Sequence, residues 1–355
     1  MNSEQIHSVL SHFPIGNLEA MRYKPFGNGH IHRTFLVETK AKKFILQEFN
    51  DEVFKSPEKI TKNQKTLHSE AKFERLPFQV PLPIPRKSGE LLYRSKEGLF
   101  RLFDFVEGKS IDYPENPEQA FQAAKSFGSF AAAMNSIHPE SLSETIPDFH
   151  RLDLRYERFL NVLSQSTHSE ELNPITDFYK NQGNLVYTYS QSIRTLPLRI
   201  THNDTKLNNL IFSEDLKNVN AVVDLDTIMP GYIMYDFGDL VRTAASGADE
   251  NSEDLAQVNL QVALFEALLK GYLSGFGKDI SKPEIESLKL AGEYMTLMMG
   301  LRFLTDHLEG NVYYHVHHPL ANLNRAKNQM KLLGSMQEKR EEIEGIFNSL
   351  GSDKN

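Results

Sequence analysis

The sequence predicts an α+β fold of two lobes, and three observations carry that expectation. Short apolar runs bounded by turn residues fill the first third of the chain, whereas apolar residues at three- and four-residue steps dominate the remainder. The pattern changes after Gly108. With 355 residues and 40% hydrophobic content, the chain can also bury at least one sizeable core.

In the first third, strands are expected at 34–38 and 44–49, then at 91–94 and 99–105, the latter two separated by a turn-like Ser95-Lys96-Glu97-Gly98. These suit a mainly antiparallel sheet. Between the pairs, Ser56 and Pro57 offer an N-cap and first helical position for a charged helix running to about Lys72. Beyond Gly108, Asn116 and Pro117 open a helix in which Ala120, Phe121, Ala124, Phe127, Ala131 and Met134 recur on one face. The stretches 258–273 and 285–308 are apolar on most sides, as helices buried within a helical lobe would be. Short apolar runs at 198–200 and 221–223 interrupt this pattern, and each ends at a polar cluster.

Composition removes several function classes. The net charge of −8 comes from 39 basic and 47 acidic residues mixed along the chain, without a basic run to neutralise nucleic-acid phosphates. No nucleic-acid partner is expected. No stretch approaches the roughly 20 apolar residues that span a bilayer, and the first residues lack a charged-then-apolar leader pattern. The expectation is a cytoplasmic protein without a membrane partner. Cysteine is absent, which excludes disulfides, thiolate zinc sites and thiol nucleophiles, so oxygen and nitrogen groups must carry the chemistry.

Those groups gather in one segment. It reads His202-Asn203-Asp204-Thr205-Lys206-Leu207-Asn208-Asn209, then an apolar 210–212, a polar turn at 213–218, and Ala221-Val222-Val223-Asp224-Leu225-Asp226. A loop feeding a β-hairpin has this form. Phosphoryl transfer needs a carboxylate that orients the attacking hydroxyl and accepts its proton, with oxygen ligands for magnesium on the phosphates. Asp204 begins the loop, Asn209 stands five residues on at the start of the first strand, and Asp224 ends the returning strand. Hairpin pairing would bring Asn209 and Asp224 together. Isolated Asp and Asn residues usually only cap turns, but three matched groups at this spacing on two apolar strands favour catalysis.

This segment, with most of the chain from about 25 to 333, resembles the aminoglycoside phosphotransferase and choline kinase superfamily, which shares the protein-kinase-like fold. Within it, the runs 202–209, 223–231 and 235–239 are most similar to the N-acetylhexosamine 1-kinase subgroup. The resemblance implies a bilobal molecule with an antiparallel-sheet, nucleotide-binding N-lobe over 1–107 and a mainly helical C-lobe over 108–355. It implies ATP and Mg2+ as cofactors, Asp204 as the catalytic base, and Asn209 and Asp224 as metal ligands, with Asp226 as a second metal contact. The run Asp236-Phe237-Gly238 spells the magnesium motif of protein kinases, yet it follows the Pro230-Gly231 turn and lies outside the hairpin. The resemblance implies that Asp236 instead buttresses the catalytic loop, with His202 as a further support.

On the nucleotide side, Gly27 and Gly29 precede the first clear strand, as a phosphate-covering loop would. By themselves two glycines mark a turn, and a full Gly-x-Gly-x-x-Gly would need glycine at His32. Gln47 stands where the superfamily usually has a Lys or Arg on the nucleotide phosphates, a substitution the resembling subgroup shares. Lys43 and Arg33 are the nearby cations. Phe103 and Phe105 lie on the strand and hinge expected to hold adenine, although an ordinary strand and turn explains them equally well.

On the acceptor side, Arg302 and Asp306 share a helix face and Tyr313 follows, with an intrahelical ion pair beside a core tyrosine as the plain alternative. The resemblance implies that His30, Arg302 and Tyr313 contact a small-molecule sugar beside Asp204, with Asp306 as an addition. His315, His317 and His318 are read as a loop before Pro319 rather than a zinc site. The implied reaction moves the γ-phosphoryl group of ATP to the anomeric hydroxyl of N-acetylglucosamine or N-acetylgalactosamine. Two alternatives stand beside it: a kinase for an aminoglycoside, choline or other small alcohol, and a non-catalytic nucleotide-binding module.

Overall fold

The computed structural model describes residues 3–16, 18, 21–27, 31–166 and 169–352. Its N-terminal region is built on an antiparallel sheet of β1 (Arg22–Pro25), β2 (Arg33–Glu38), β3 (Lys43–Phe49), β4 (Tyr93–Ser95) and β5 (Gly98–Asp104), ordered β1-β2-β3-β5-β4. Strand alternation gives the sheet two faces. On one, Phe35, Val37, Phe44, Leu46, Phe100 and Leu102 bury against Ile6, Val9 and Leu10 of α1 (Ser3–Leu10) and against Phe13. On the other, Phe49 and Leu99 pack with Phe54 and with Ile60 of α2 (Pro57–Glu70). That second face also carries Gln47 and Arg101, which sit directly opposite one another across the β3–β5 pairing. The expected strands and charged helix are present; α1 and β1 were not anticipated, because each is short and α1 owes its place to packing.

At Gly108 the chain turns into the helical C-terminal region. Lys109 and Phe212 exchange backbone hydrogen bonds of 2.9 and 2.8 Å, pinning the crossing to the edge of the hairpin. A Cβ on Gly108 would lie 2.0 Å from the Phe212 carbonyl oxygen, and its φ of 139° is open to glycine. Next, α3 (Pro117–Met134) starts at Asn116, whose side chain accepts from the Gln119 N–H. It packs closely on α8 (Val262–Phe276), with Gly128, Gly271 and Gly275 each meeting backbone of the facing helix.

The remaining helices are α4 (Leu152–Gln165), α5 (Asn173–Lys180), α6 (Gly183–Ser192), α7 (Ile233–Ala244), α9 (Lys282–Leu288), α10 (Ala291–Leu308), α11 (Ala321–Glu338) and α12 (Arg340–Ser352). The apolar stretch 285–308 is thus two helices rather than one. A Ser281–Glu284 capping box starts α9, and the chain breaks at Lys289, which ion-pairs with Glu286 and Glu344. A stretch apolar on all sides carries no periodic mark of such a break. Two small sheets interrupt the helices: β6 (Arg199–Thr201) with β9 (Met229–Gly231), and the expected hairpin, β7 (Leu210–Phe212) with β8 (Val219–Val222). Among the described residues, no helix is long and apolar enough to cross a membrane.

Candidate active site

The loop between β6 and β7 is held from below by the first turn of α7. Asp236, buried there, accepts hydrogen bonds from the backbone N–H groups of His202 (2.9 Å) and Asn203 (2.7 Å). Burial nevertheless pushes its carboxyl up to about 6. Thr205 adds two ties, donating its N–H to Asp239 (3.1 Å) and its hydroxyl to the Asp236 carbonyl (2.6 Å). His202 reaches across to the Val223 carbonyl through Nε2 at 3.1 Å, with its ring edge-on to Phe127 and Phe130. Asn203 adopts a left-handed backbone (φ 64°) and donates through Nδ2 to the carbonyls of Thr201 and Thr227. The residues on both sides of Asp204 are therefore tied to α7 and to the neighbouring backbone.

Asn209 forms the junction between Asp204 and Asp224. Its Nδ2 donates to Asp204 Oδ2 and to the Asp204 carbonyl, both at 2.8 Å, while its own carbonyl accepts from the Val223 N–H at 2.9 Å. With Leu210 opposite Val222 in the hairpin, that bond sets Asp224 beside Asn209. Burial works against ionisation of Asp204, but Lys206, His202 and Asn209 hold its carboxyl below the usual range; Lys206 Nζ lies 3.2 Å from Oδ1. Asp224 behaves oppositely. Its side chain meets solvent, yet desolvation by the walls around it, then Asp226 and Asp204, push it up to about 6.

The donor set fits a hard divalent cation. Neither Asn209 Oδ1 nor the Asp224 carboxylate accepts a hydrogen bond from any described residue. Among the described residues no group of three His, Cys, Asp or Glu side chains is arranged to hold a metal. An amide oxygen plus one carboxylate suits magnesium, which keeps waters and phosphate oxygens as its other ligands.

The residues expected on the acceptor side form a second cluster that reaches the loop. Arg302 lies 5.2 Å over the Phe149 ring and about as far from the rings of Tyr313 (5.6 Å) and Tyr314 (5.5 Å), and its Nη2 is 3.4 Å from the Tyr313 hydroxyl. Phe149 packs on His150 at 4.3 Å, and His150 Nε2 donates to the Asn203 carbonyl at 3.1 Å. Asp306 makes no ion pair with Arg302. It is buried and accepts from the N–H groups of Tyr313 (2.7 Å) and Tyr314 (3.0 Å) and from Asn322 (2.8 Å), so it shapes the loop that presents Tyr313.

The chain matches the phosphotransferase enzyme family over residues 22–279, most of its length. It belongs to that family. Similar solved structures extend over nearly the whole of this phosphotransferase. A microcompartment-associated aminopropanol kinase matches with a TM-score of 0.63 at 14% identity, covering 96% of this chain and 98% of its own. A spectinomycin phosphotransferase, solved with ADP and spectinomycin, gives 0.60 at 11% identity, with 96% and 99% covered. Choline kinase from Cryptosporidium parvum Iowa II gives 0.58 at 16% identity, with 99% of both chains covered. At these identities the likeness is one of fold: an antiparallel-sheet N-terminal region and a helical C-terminal region of the kinase type.

In this phosphotransferase the N-terminal sheet meets the turn Leu225–Thr227, which follows β8, at Asp226. Arg101 grips both carboxylate oxygens, Nη1 to Oδ1 at 2.5 Å and Nη2 to Oδ2 at 2.7 Å, while His32 Nε2 (2.8 Å) and Gln64 Nε2 (3.3 Å) complete the set. Both oxygens of the expected second metal contact are thus engaged by protein donors. Gln47 accepts from Arg101 Nε at 2.9 Å, and the guanidinium lies between Phe49 and Phe103, 5.1 Å from each ring. Lys43 pairs with Glu107 and Arg33 with Glu48, both at the surface. Phe105 meets Phe26 edge-on at 5.7 Å beside the crossing. Gly27 has a left-handed φ of 75°, whereas Gly29 and His30 fall outside the described residues. Sequence reasoning missed Arg101, His32, Gln64 and Lys206 as site neighbours. Only Lys206 carried a local signal, its place within the loop.

Proposed function

We propose that this phosphotransferase is an ATP- and Mg2+-dependent small-molecule kinase that phosphorylates the anomeric hydroxyl of N-acetylhexosamines. The observation that carries the kinase reading is the Asn209 junction: one amide binds the Asp204 carboxylate while its backbone fixes Asp224 at its side. Residues 1–107 serve as the nucleotide lobe, with Gly27, Gly29 and Gln47 towards the phosphates and Phe103 and Phe105 towards adenine; 108–355 supply catalysis and acceptor binding. Asp204, kept ionised by Lys206, orients the acceptor hydroxyl and takes its proton as the new P–O bond forms and the bond to the ADP oxygen breaks. Bound at Asn209 and Asp224, with Asp226 behind them, magnesium would offset charge on the phosphate oxygens. Nucleotide use is supported by the spectinomycin phosphotransferase, which was solved with ADP.

The acceptor assignment rests on Arg302 and Tyr313, joined to the loop through Phe149 and His150, with His30 from the glycine segment and Asp306 holding the Tyr313 loop. A cationic acceptor calls for uncommitted carboxylates. Here Glu250 is taken by Arg242, Glu309 by Arg158, and Asp306 by backbone donors. A neutral, hydroxyl-rich sugar fits an arginine and a tyrosine better.

The test is ADP release with ATP and Mg2+ across N-acetylglucosamine, N-acetylgalactosamine, their 1-O-methyl glycosides, glucose, choline and kanamycin. Turnover of the free N-acetyl sugars but not of the methyl glycosides is expected. Turnover of choline or kanamycin alone would keep the kinase and discard the sugar.

A further inference from the structure

We propose that Arg101 is a positioning residue for the metal end of the site: it stands, one strand over, for the cation missing at Gln47, and acts through Asp226 to hold Asp224. This rests on the metal-dependent kinase reading. At position 47 β3 offers an amide in place of a positive charge, but the residue directly opposite it on β5 is Arg101, 2% exposed. Gln47 has a job there: its Oε1 accepts from Nε and turns the guanidinium fork towards Asp226.

The partners of Asp226 come from the whole N-terminal region. Oδ1 accepts from Arg101 and from Gln64 on α2; Oδ2 accepts from Arg101 and from His32, which precedes β2. His32 needs no positive charge for this. Its Nδ1 accepts from the Asn50 N–H at 3.0 Å, so Nε2 carries the proton and donates it. This accounts for a histidine where a longer glycine motif would place glycine. A carboxylate met by four donors is an anchor, and what it anchors is the short turn Leu225–Thr227.

Asp224 lies immediately before that turn in a left-handed conformation, φ 62° and ψ 69°, which a non-glycine residue keeps only when its surroundings impose it. On its other side, the Val223 N–H is bound to Asn209. Asp224 is thus fixed between the hairpin and the Asp226 anchor, and the second hold belongs to Arg101. Partners of this kind behind a metal ligand typically contribute about 10- to 100-fold in metal affinity.

The test measures ADP affinity by calorimetry with and without Mn2+, and adenosine affinity alongside, well below each variant's melting temperature. Arg101→Lys keeps the charge but loses the fork. Its metal-linked gain in ADP affinity should fall about tenfold or more, with adenosine binding within about twofold of wild type. Should that variant fail to fold, Arg101→Gln combined with Asp226→Asn removes the buried charges together and should show the same selective loss. A folded variant with the wild-type metal-linked gain would overturn the role, as would equal losses of ADP and adenosine binding. Absence of a metal-linked gain in the wild-type protein would overturn the metal site itself, and this role with it.

Discussion

Asp204 and His150 sit on either side of the Asn203 backbone, and their environments favour opposite charge states, an ionised carboxylate and a neutral imidazole. Burial opposes the charge of Asp204, but Lys206, His202 and Asn209 keep it ionised and ready to accept a proton. Asp204→Asn should therefore lower kcat by about 10²- to 10⁴-fold while ADP still binds, a split read by steady-state kinetics and calorimetry. His150 is buried; burial pushes its imidazole down to about 3, the Asn203 carbonyl takes Nε2–H, and Nδ1 has no partner among the described residues. The unfolded chain then binds a proton that the folded one does not, so stability falls as pH drops from about 6.5 towards 3. In urea melts at stepped pH, His150→Gln should flatten that slope by up to about 1.4 kcal/mol per pH unit. Asp204, Asn209 and Asp224 were legible in the sequence because their spacing is local to one hairpin. His150 was not, since an isolated histidine in a loop carries no periodic or spacing signal.

The loop around Asp204 owes its shape to helix α7, whose Asp236 satisfies two successive backbone N–H groups. Asp236→Ala strands both donors in a buried site, and at about 1–3 kcal/mol each should cost roughly 2–6 kcal/mol in urea unfolding, with kcat reduced as the loop loosens. Asp236-Phe237-Gly238 resembles a metal motif by letters alone; its position after a turn, off the hairpin, distinguishes it. Helix spacing was less informative at Asp306. A four-residue step puts it on the Arg302 face, but its side chain reaches forward to the loop carrying Tyr313 and Tyr314. Spacing within a helix reports which neighbours are available, and the competing backbone donors of a following loop are invisible to it.

At the scale of the whole molecule, the N-terminal sheet and the helical region are joined by the Gly108 crossing and by the Asp226 cluster. Gly108→Ala would drive a Cβ to within 2.0 Å of the Phe212 carbonyl. Relief requires the crossing to leave the β7 edge, so a loss of about 1–3 kcal/mol in unfolding free energy and weaker ADP binding are expected. Unchanged melting and affinity in that variant would show that the crossing is not a fixed point. The sequence by itself determined the α+β division, the antiparallel strands, and the loop and hairpin that place Asp204, Asn209 and Asp224. Each depends on periodicity or spacing within a few tens of residues, which backbone geometry converts directly into structure. Tertiary structure alone decided that Arg101 pairs with Asp226, 125 positions away, that Gln64 of a charged helix turns inward, and that Lys43 and Arg33 stay at the surface. A buried charge takes whichever partner the assembled strands and helices bring within reach, and that proximity is written nowhere along the chain.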